Sequence, residues 1–301
     1  QARGQAIVIT GTSSGIGIET ARALSATGAT LYLTARNVPK AKAVLADIAE
    51  TGRTEFIEMD LESFENVHAA AKTILAMTDK VNILINNAGI MAVPRLEFTK
   101  DGYELQFGTN HLAHFLFFQL LKLALLAAST PAFHSRVVNV SSAAHRRNGI
   151  NASDNYNFEK GGYDPWIAYA QSKTANIYMA NEIERRYGSL GLHATSVHPG
   201  GILTGLSKHI PEAEIAAMLE DKALVRSSKS PEQGAATTVL AAIGKEWENK
   251  GGKNLADCAE AKRENDDGTR VGANYTSHTY DMESEGRLWK DSLRMVGLAD
   301  D

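Results

Sequence analysis

Tyr169 is followed four residues later by Lys173, inside the stretch Pro165 to Gly188. Positions i and i+4 share one face of an α-helix, so the two side chains can meet there. A free tyrosine titrates near 10 and is a poor base at neutral pH. A neighbouring ammonium stabilises the phenolate and lowers that value. Such a pair can pass a proton to or from an oxygen atom. The chemistry also needs a donor to the developing alkoxide or carbonyl oxygen, and Ser142, at the end of an expected strand, is placed for that. In isolation the Tyr–Lys pair is better read as two ordinary neighbours on a surface helix. Its surroundings in the chain reverse that reading.

The first of those surroundings is the turn Thr10 to Gly17, "TGTSSGIG". Glycines 11, 15 and 17 sit between an expected strand and an expected helix. Small residues there let the backbone approach a pyrophosphate, and a helix N-terminus favours its charge. Ser13 and Ser14 either bond those phosphates or cap the helix. The spacing is neither GxGxxG nor a P-loop. Glycines in a tight turn can be purely structural, but the strand–turn–helix context favours a dinucleotide. At the end of the second strand stand Ala35 and Arg36, where an acidic residue would hold a free ribose 2′-hydroxyl. Nothing there repels a 2′-phosphate, and a guanidinium can pair with one. Arg36 could equally be a solvated strand-end charge. With the glycine turn, it favours NADP(H) over NAD(H).

These residues need a scaffold, and the hydrophobic pattern supplies one. Short β-branched runs (Gln5 to Thr10, Thr30 to Ala35, Thr54 to Asp60, Val81 to Gly89) alternate with helical spacing (Ile18 to Thr27, Lys40 to Glu50, Glu65 to Met77). The alternation continues: a long or bent helix over Gly102 to Ala128, a strand over Ser135 to Ser142, a helix over Tyr169 to Tyr187, a strand over Leu192 to Gly200, and a helix opened by Ser230-Pro231-Glu232. Repeated strand–helix units with right-handed crossovers predict an α/β, Rossmann-type, doubly wound parallel sheet with helices on both faces. No linker divides the chain, so residues 1–301 are expected to form a single domain.

Composition narrows the function classes. The 301 residues carry a net charge of -4 spread along the chain, which gives no electrostatic case for a nucleic-acid partner. Cys258 is the only cysteine, which excludes an intramolecular disulfide and a cysteine-rich metal site. His111, His114, His134 and His145 lack metal-ligand spacing, so no metal is expected. The apolar stretch His114 to Ala128 is interrupted by Lys122 and is too short to span a bilayer, so it reads as a buried helix. A cytoplasmic location is expected, and a targeting segment ahead of Gln1 would lie outside this sequence.

The ordered motifs together resemble the short-chain dehydrogenase/reductase family. "TGTSSGIG" is similar to its cofactor turn (Gly11, Ser13, Ser14, Gly15, Ile16, Gly17). Asp60 and Leu61 resemble the pair beside the adenine. Asn86 to Gly89, "NNAG", resembles the segment after the fourth strand, giving Asn87, Ala88 and Gly89 as cofactor contacts. Asn110, Ser142, Tyr169 and Lys173 match the family's catalytic set. Pro199 and Gly200, followed by Thr204, match its PG…T segment.

The resemblance implies NADP(H)-dependent reduction of a ketone or aldehyde, reversible as alcohol oxidation. Tyr169 would act as proton donor, Ser142 would bond the carbonyl oxygen, and Lys173 would lower the tyrosine pKa and hold the nicotinamide ribose. Asn110 would order a water linking Lys173 to solvent. Ser141 should point away from Ser142 in an extended strand.

Tyr169 lies 27 positions after Ser142. That insert, with Asn157-Phe158-Glu159 and Tyr163-Asp164-Pro165-Trp166, resembles the retinol dehydrogenase, WW-domain oxidoreductase and protochlorophyllide reductase-like branch. Members handle retinoids, steroids or secondary metabolites, so a hydrophobic carbonyl or alcohol substrate is implied. A homodimer is left open. Residues around 143–168 and 201–228 are expected at the substrate site, with Ile150 to Trp166 framing its mouth. Met91, Tyr163, Trp166 and Ile202 to Leu219 either line the pocket or simply pack. Glu260 to Gly268 reads as a solvated loop. Reduction of a C=C bond, and a non-catalytic NADP(H)-binding sensor or scaffold, remain the alternatives.

Overall fold

The computed structural model describes residues 2–202, 204–266 and 272–300. Leu203, within the expected pocket stretch, and Asp267 and Gly268, at the end of the expected loop, lie outside them. Eight strands form one sheet: β1 (Ala6–Thr10), β2 (Thr30–Ala35), β3 (Thr54–Glu58), β4 (Ile83–Asn86), β5 (Ser135–Val140), β6 (Leu192–His198), β7 (Lys253–Ala256) and β8 (Ala259–Glu260). Their spatial order is β3-β2-β1-β4-β5-β6-β7-β8. All neighbours run parallel except the β7–β8 hairpin. The order reverses between β1 and β4, which opens a crevice at the carboxyl ends of the strands.

β1, β4 and β5 are buried along nearly their whole length, as expected of a sheet covered on both faces. One face packs on Ile16–Ser25 and Pro231–Ile243, through residues such as Ala21, Leu24 and Ala241. The other packs on Phe64–Met77, Leu105–Ala128 and Pro165–Tyr187.

Several expected boundaries move for identifiable reasons. The second helix is Val38–Val44 followed by a tight turn at Ala46–Ile48, not Lys40 to Glu50. Asn37 caps it by accepting the Lys40 N–H at 2.9 Å, which pulls the start upstream. The Tyr169 helix begins at Pro165, because Asp164 caps the N–H groups of Trp166 and Ile167. The helix Leu105–Ala128 is in fact long and apolar enough to cross a bilayer. What makes it a core helix is burial inside the fold, not the shortness read from its sequence.

The last third adds β7, β8 and the helix Met282–Met295. That helix lies against Pro165–Tyr187 and Leu105–Ala128. Its Trp289 is 2% exposed and meets Phe115 edge-on, with ring centroids 4.9 Å apart. Full burial of a large apolar side chain contributes about 1.5–3 kcal/mol, enough to hold a terminal helix down. Of the expected solvated loop, Lys262 to Asp266 are exposed, and Glu264 among them pairs with the buried Arg146 at 2.5 Å. Pairing with a carboxylate offsets part of the cost of burying that guanidinium.

Candidate active site

Six strand ends deliver the residues singled out in the sequence. Gly11 follows β1, Arg36 follows β2, Asp60 follows β3, Asn87 follows β4, Ser142 follows β5 and Pro199 follows β6. All the expected cofactor contacts and Ser142 line one cleft of about 1300 Å³. Parallel strands bring this about, since every loop leaving a carboxyl end opens on the same edge.

Tyr169 and Lys173 do share a helix face. The Lys173 ammonium stands 5.6 Å from the Tyr169 ring centroid, and both residues are 3% exposed. Lys173 Nζ donates to the Val140 carbonyl at 3.0 Å. Burial lowers its pKa from 10.5 to about 8. Burial also pushes Tyr169 up to about 12, against a smaller opposing pull from its hydrogen bond with Ser142. The expected lowering of the tyrosine by the lysine is therefore not what the protein's own groups produce. Desolvation of the phenolate outweighs a charge that is itself spent partly on a carbonyl. Ser142 sits beside the phenol, and its Oγ accepts the Ala144 N–H at 3.1 Å. Ser141 faces the other way and donates to the Lys173 carbonyl at 2.8 Å.

Asn110 lies in a single π-helical turn, Gly108–Leu112, within the long helix. Such turns re-aim a side chain at the expense of regular hydrogen bonding. Its Oδ1 accepts the Ile90 N–H at 2.8 Å, and its Nδ2 donates to the Ile90 carbonyl and to Ser172 Oγ, both at 2.9 Å. Asn110 thus clamps the chain after β4. Only Gly89 separates it from Lys173: a Cβ there would lie 3.1 Å from Asn110 Oδ1 and 3.4 Å from Lys173 Nζ.

The glycine turn meets the β4 end just as closely. A Cβ on Gly11 would stand 2.8 Å from Ala88, and one on Gly17 would stand 2.3 Å from the Gly11 carbonyl and 2.6 Å from Asn87 Nδ2. Gly15, at φ 61°, caps the first helix with no side-chain bond, leaving the helix N–H groups open to a phosphate. These features fit a dinucleotide. Changing Gly17 to alanine is expected to displace the turn and weaken binding of a nicotinamide dinucleotide at least tenfold, with a stability loss of about 1–3 kcal/mol. Calorimetric titration beside thermal unfolding checks this, and a variant that binds the dinucleotide normally contradicts it.

A family model described as short chain dehydrogenase matches residues 5–215. The chain belongs to the short-chain dehydrogenase/reductase family. The protein is also similar, at 49% identity over 293 residues, to short-chain dehydrogenase/reductase prx1 of Penicillium roqueforti, covering 97% of this chain and 85% of that one. It is 36% identical over 301 residues to retinol dehydrogenase 11 of Homo sapiens, covering 99% of this chain and 87% of the relative. Among solved structures, an uncharacterized protein from Mycobacterium paratuberculosis aligns with a TM-score of 0.72 at 31% identity, over 98% of this chain and 94% of that chain.

At the far end of the cleft of this short-chain dehydrogenase, Arg36 Nη1 donates to Glu62 at 2.8 Å, and the arginine side chain is 62% exposed. Lys40 lines the same end. It was not singled out in the sequence, although its position four residues after Arg36 was a usable signal.

Two histidines hold the site's loops together. His114 Nε2 lies 2.8 Å from Thr10 Oγ1, which accepts the N–H groups of Asn87 and Ala88; His114 Nδ1 lies 3.0 Å from the Asn110 carbonyl. With Thr10 Oγ1 already accepting twice, it donates to Nε2, and Nδ1 carries the ring proton. Burial pushes this imidazole down to about 4, which keeps it neutral. His198 Nδ1 accepts the Ala143 N–H at 3.1 Å and the Gly200 N–H at 3.4 Å, tying the Ser142 turn to the Pro199–Gly200 turn.

The insert of this short-chain dehydrogenase is mostly not where it was expected. Ala143, Ala144, Arg147 and Trp166 line the cleft, but residues 148–165 do not. Tyr156 stacks on Phe107 with centroids 5.1 Å apart and donates to Asp291 at 2.8 Å, while Arg287 reaches the Asn151 carbonyl at 3.0 Å. The insert is fastened to the C-terminal helix, which its own sequence could not announce. Tyr163 likewise turns from the cleft and donates to the Val93 carbonyl at 2.7 Å. Met91, Ile202, Leu206, Ile210 and Leu219 do line it.

Proposed function

We propose that the protein is an NADPH-dependent reductase of a hydrophobic ketone or aldehyde. The observation that carries this is the buried Tyr169 phenol beside Lys173 in the same cleft as Ser142, kept protonated because burial pushes it up to about 12. A protonated phenol at neutral pH is an acid ready to give its proton to a carbonyl oxygen as that oxygen gains charge. Ser142 Oγ supplies a second hydrogen bond to the same oxygen. Lys173, charged below about pH 8, holds the nicotinamide ribose and favours the phenolate left after proton transfer. Bound NADPH would supply the hydride. Asn110 keeps Ile90 and Gly89 in place beside Lys173.

The substrate class rests on the wall beyond Ser142, where Met91, Ala144, Trp166, Leu206 and Ile210 are apolar. Likeness to retinol dehydrogenase 11 supports the same class, since retinol is an apolar alcohol. The test is a panel of apolar aldehydes, ketones and enones with NADPH and NADH, read by nicotinamide absorbance and product analysis. Reduction of enones at C=C without carbonyl reduction would replace the reading, and turnover of nothing in the panel would remove it.

The preference for NADPH rests on Arg36 and Lys40 at the ribose end, with no carboxylate at Ala35. Glu62 must release Arg36 to a 2′-phosphate, which a doubly charged acceptor favours. Changing Arg36 to glutamine is expected to raise the NADPH dissociation constant about tenfold, or about 1.4 kcal/mol, and to leave NADH nearly unaffected. Calorimetry on both cofactors decides it. Equal affinity of the unmodified protein for the two would sink the idea.

A further inference from the structure

Two adjacent arginines end the short helix Ala143–Arg147 and meet opposite fates. The Arg146 side chain is fully buried, paired with Glu264 at 2.5 Å and donating to the Asn274 carbonyl at 3.1 Å. Arg147 instead lines the cleft, with its side chain 24% exposed. The partner given for it among the described residues is Asp164 Oδ1, 3.6 Å from Nη2. That separation is too long for a hydrogen bond. The same oxygen already accepts the N–H groups of Trp166 at 2.9 Å and Ile167 at 2.8 Å as the helix cap.

A guanidinium carries five N–H donors in a planar fork that matches a carboxylate. Here the fork lines the same cleft as the apolar Ala144, Trp166, Leu206 and Ile210. Lys208 and Glu214 also line the cleft and offset each other in charge, which leaves Arg147 facing only the Asp164 carboxylate that already caps the helix. Lys229, nearer Gly200, is already paired with Asp257.

We propose that Arg147 binds a carboxylate on the substrate and so makes the enzyme selective for hydrophobic aldehydes or ketones bearing an acid group remote from the reacting carbon. The proposal rests on the carbonyl-reductase reading above and adds the substrate class to it. Spacing limits that class. Arg147 lies five residues past Ser142 along a 3₁₀ helix, about 10 Å of axis at roughly 2 Å per residue. A 2-oxo acid, whose carboxylate adjoins the carbonyl, is too short to reach both groups. An aryl or medium-chain aldehyde with a terminal carboxylate reaches both. Pairing through the substrate also costs little desolvation, because the guanidinium is already withdrawn from part of its water.

The test compares 4-carboxybenzaldehyde with 4-methylbenzaldehyde, which have matched shape and differ in charge. With NADPH, the unmodified enzyme is expected to favour the acid at least tenfold in kcat/KM, mostly through KM. Arg147→Gln should lower the acid-to-methyl ratio of kcat/KM at least tenfold, and Arg147→Lys should restore part of it, since it keeps the charge without the fork. No preference in the unmodified enzyme, or an unchanged ratio in Arg147→Gln, overturns the proposal. Calorimetric binding of 4-carboxybenzyl and 4-methylbenzyl alcohols to the protein with NADPH, a pairing with no hydride acceptor, reads Arg147 without turnover. Tighter binding of the acid that Arg147→Gln abolishes supports the site even if no carbonyl is reduced, an outcome that would remove only the reductase reading. Equal binding of the two alcohols overturns the Arg147 assignment.

Discussion

Replacing Tyr169 with phenylalanine is expected to lower kcat for carbonyl reduction by about 10²-fold or more, the usual contribution of a positioned proton donor. The NADPH dissociation constant should change little. The ring of Tyr169 is buried, packed edge-on to Trp166 with centroids 6.2 Å apart, and close to Lys173. Phenylalanine keeps those contacts and deletes only the hydroxyl that meets Ser142. A large loss in kcat with normal cofactor affinity and normal unfolding therefore isolates proton donation. The measurement is single-turnover reduction, so that product release does not mask the chemical step. A phenylalanine variant turning over at nearly the original rate would assign the proton to another group.

Replacing Lys173 with methionine should produce a different pattern, with loss of both kcat and NADPH affinity, each by about 10²-fold. Methionine has similar bulk but cannot donate to the Val140 carbonyl or carry charge beside Tyr169. A pH profile separates the charge from the packing. Burial depresses the lysine from 10.5 to about 8, while Tyr169 near 12 stays protonated throughout the working range. In reduction, kcat/KM should be level below about pH 8 and fall above it as the ammonium is lost. Between pH 8 and 10.5 the unfolded chain holds a proton on this lysine that the folded chain does not, so its contribution to stability rises with pH there. Activity and this part of stability thus move in opposite directions. The methionine variant should lose the inflection near 8, and an inflection that persists in it would place the titration elsewhere.

Much of the site was legible because its parts are local. A glycine turn between a strand and a helix, a residue closing a strand, and an i,i+4 pair on a helix are each short-range patterns with a physical meaning. The less local parts were not. His198 serves through Ala143, a neighbour that no spacing rule connects to it. Arg147 differs from Arg146 only in which way its side chain turns. His114 reads only as a histidine of a buried helix until Thr10, distant in the chain, is seen against its ring. The insert's role was misplaced because its anchors, Arg287 and Asp291, lie on the C-terminal helix.

By itself, the sequence determined the alternating strand–helix order, the parallel sheet and the edge at which Gly11, Arg36, Asn87, Ser142 and Pro199 gather. It could do so because apolar period and turn chemistry act over a few residues, and parallel crossovers leave one hand of winding. Only the tertiary structure decided the protonation of Tyr169, the seating of residues 148–165 against Met282–Met295, and the exposure of Arg147 to the cleft. Those depend on which groups from distant segments exclude water around a side chain. Desolvation is a property of the assembled interior, with no counterpart in the linear pattern.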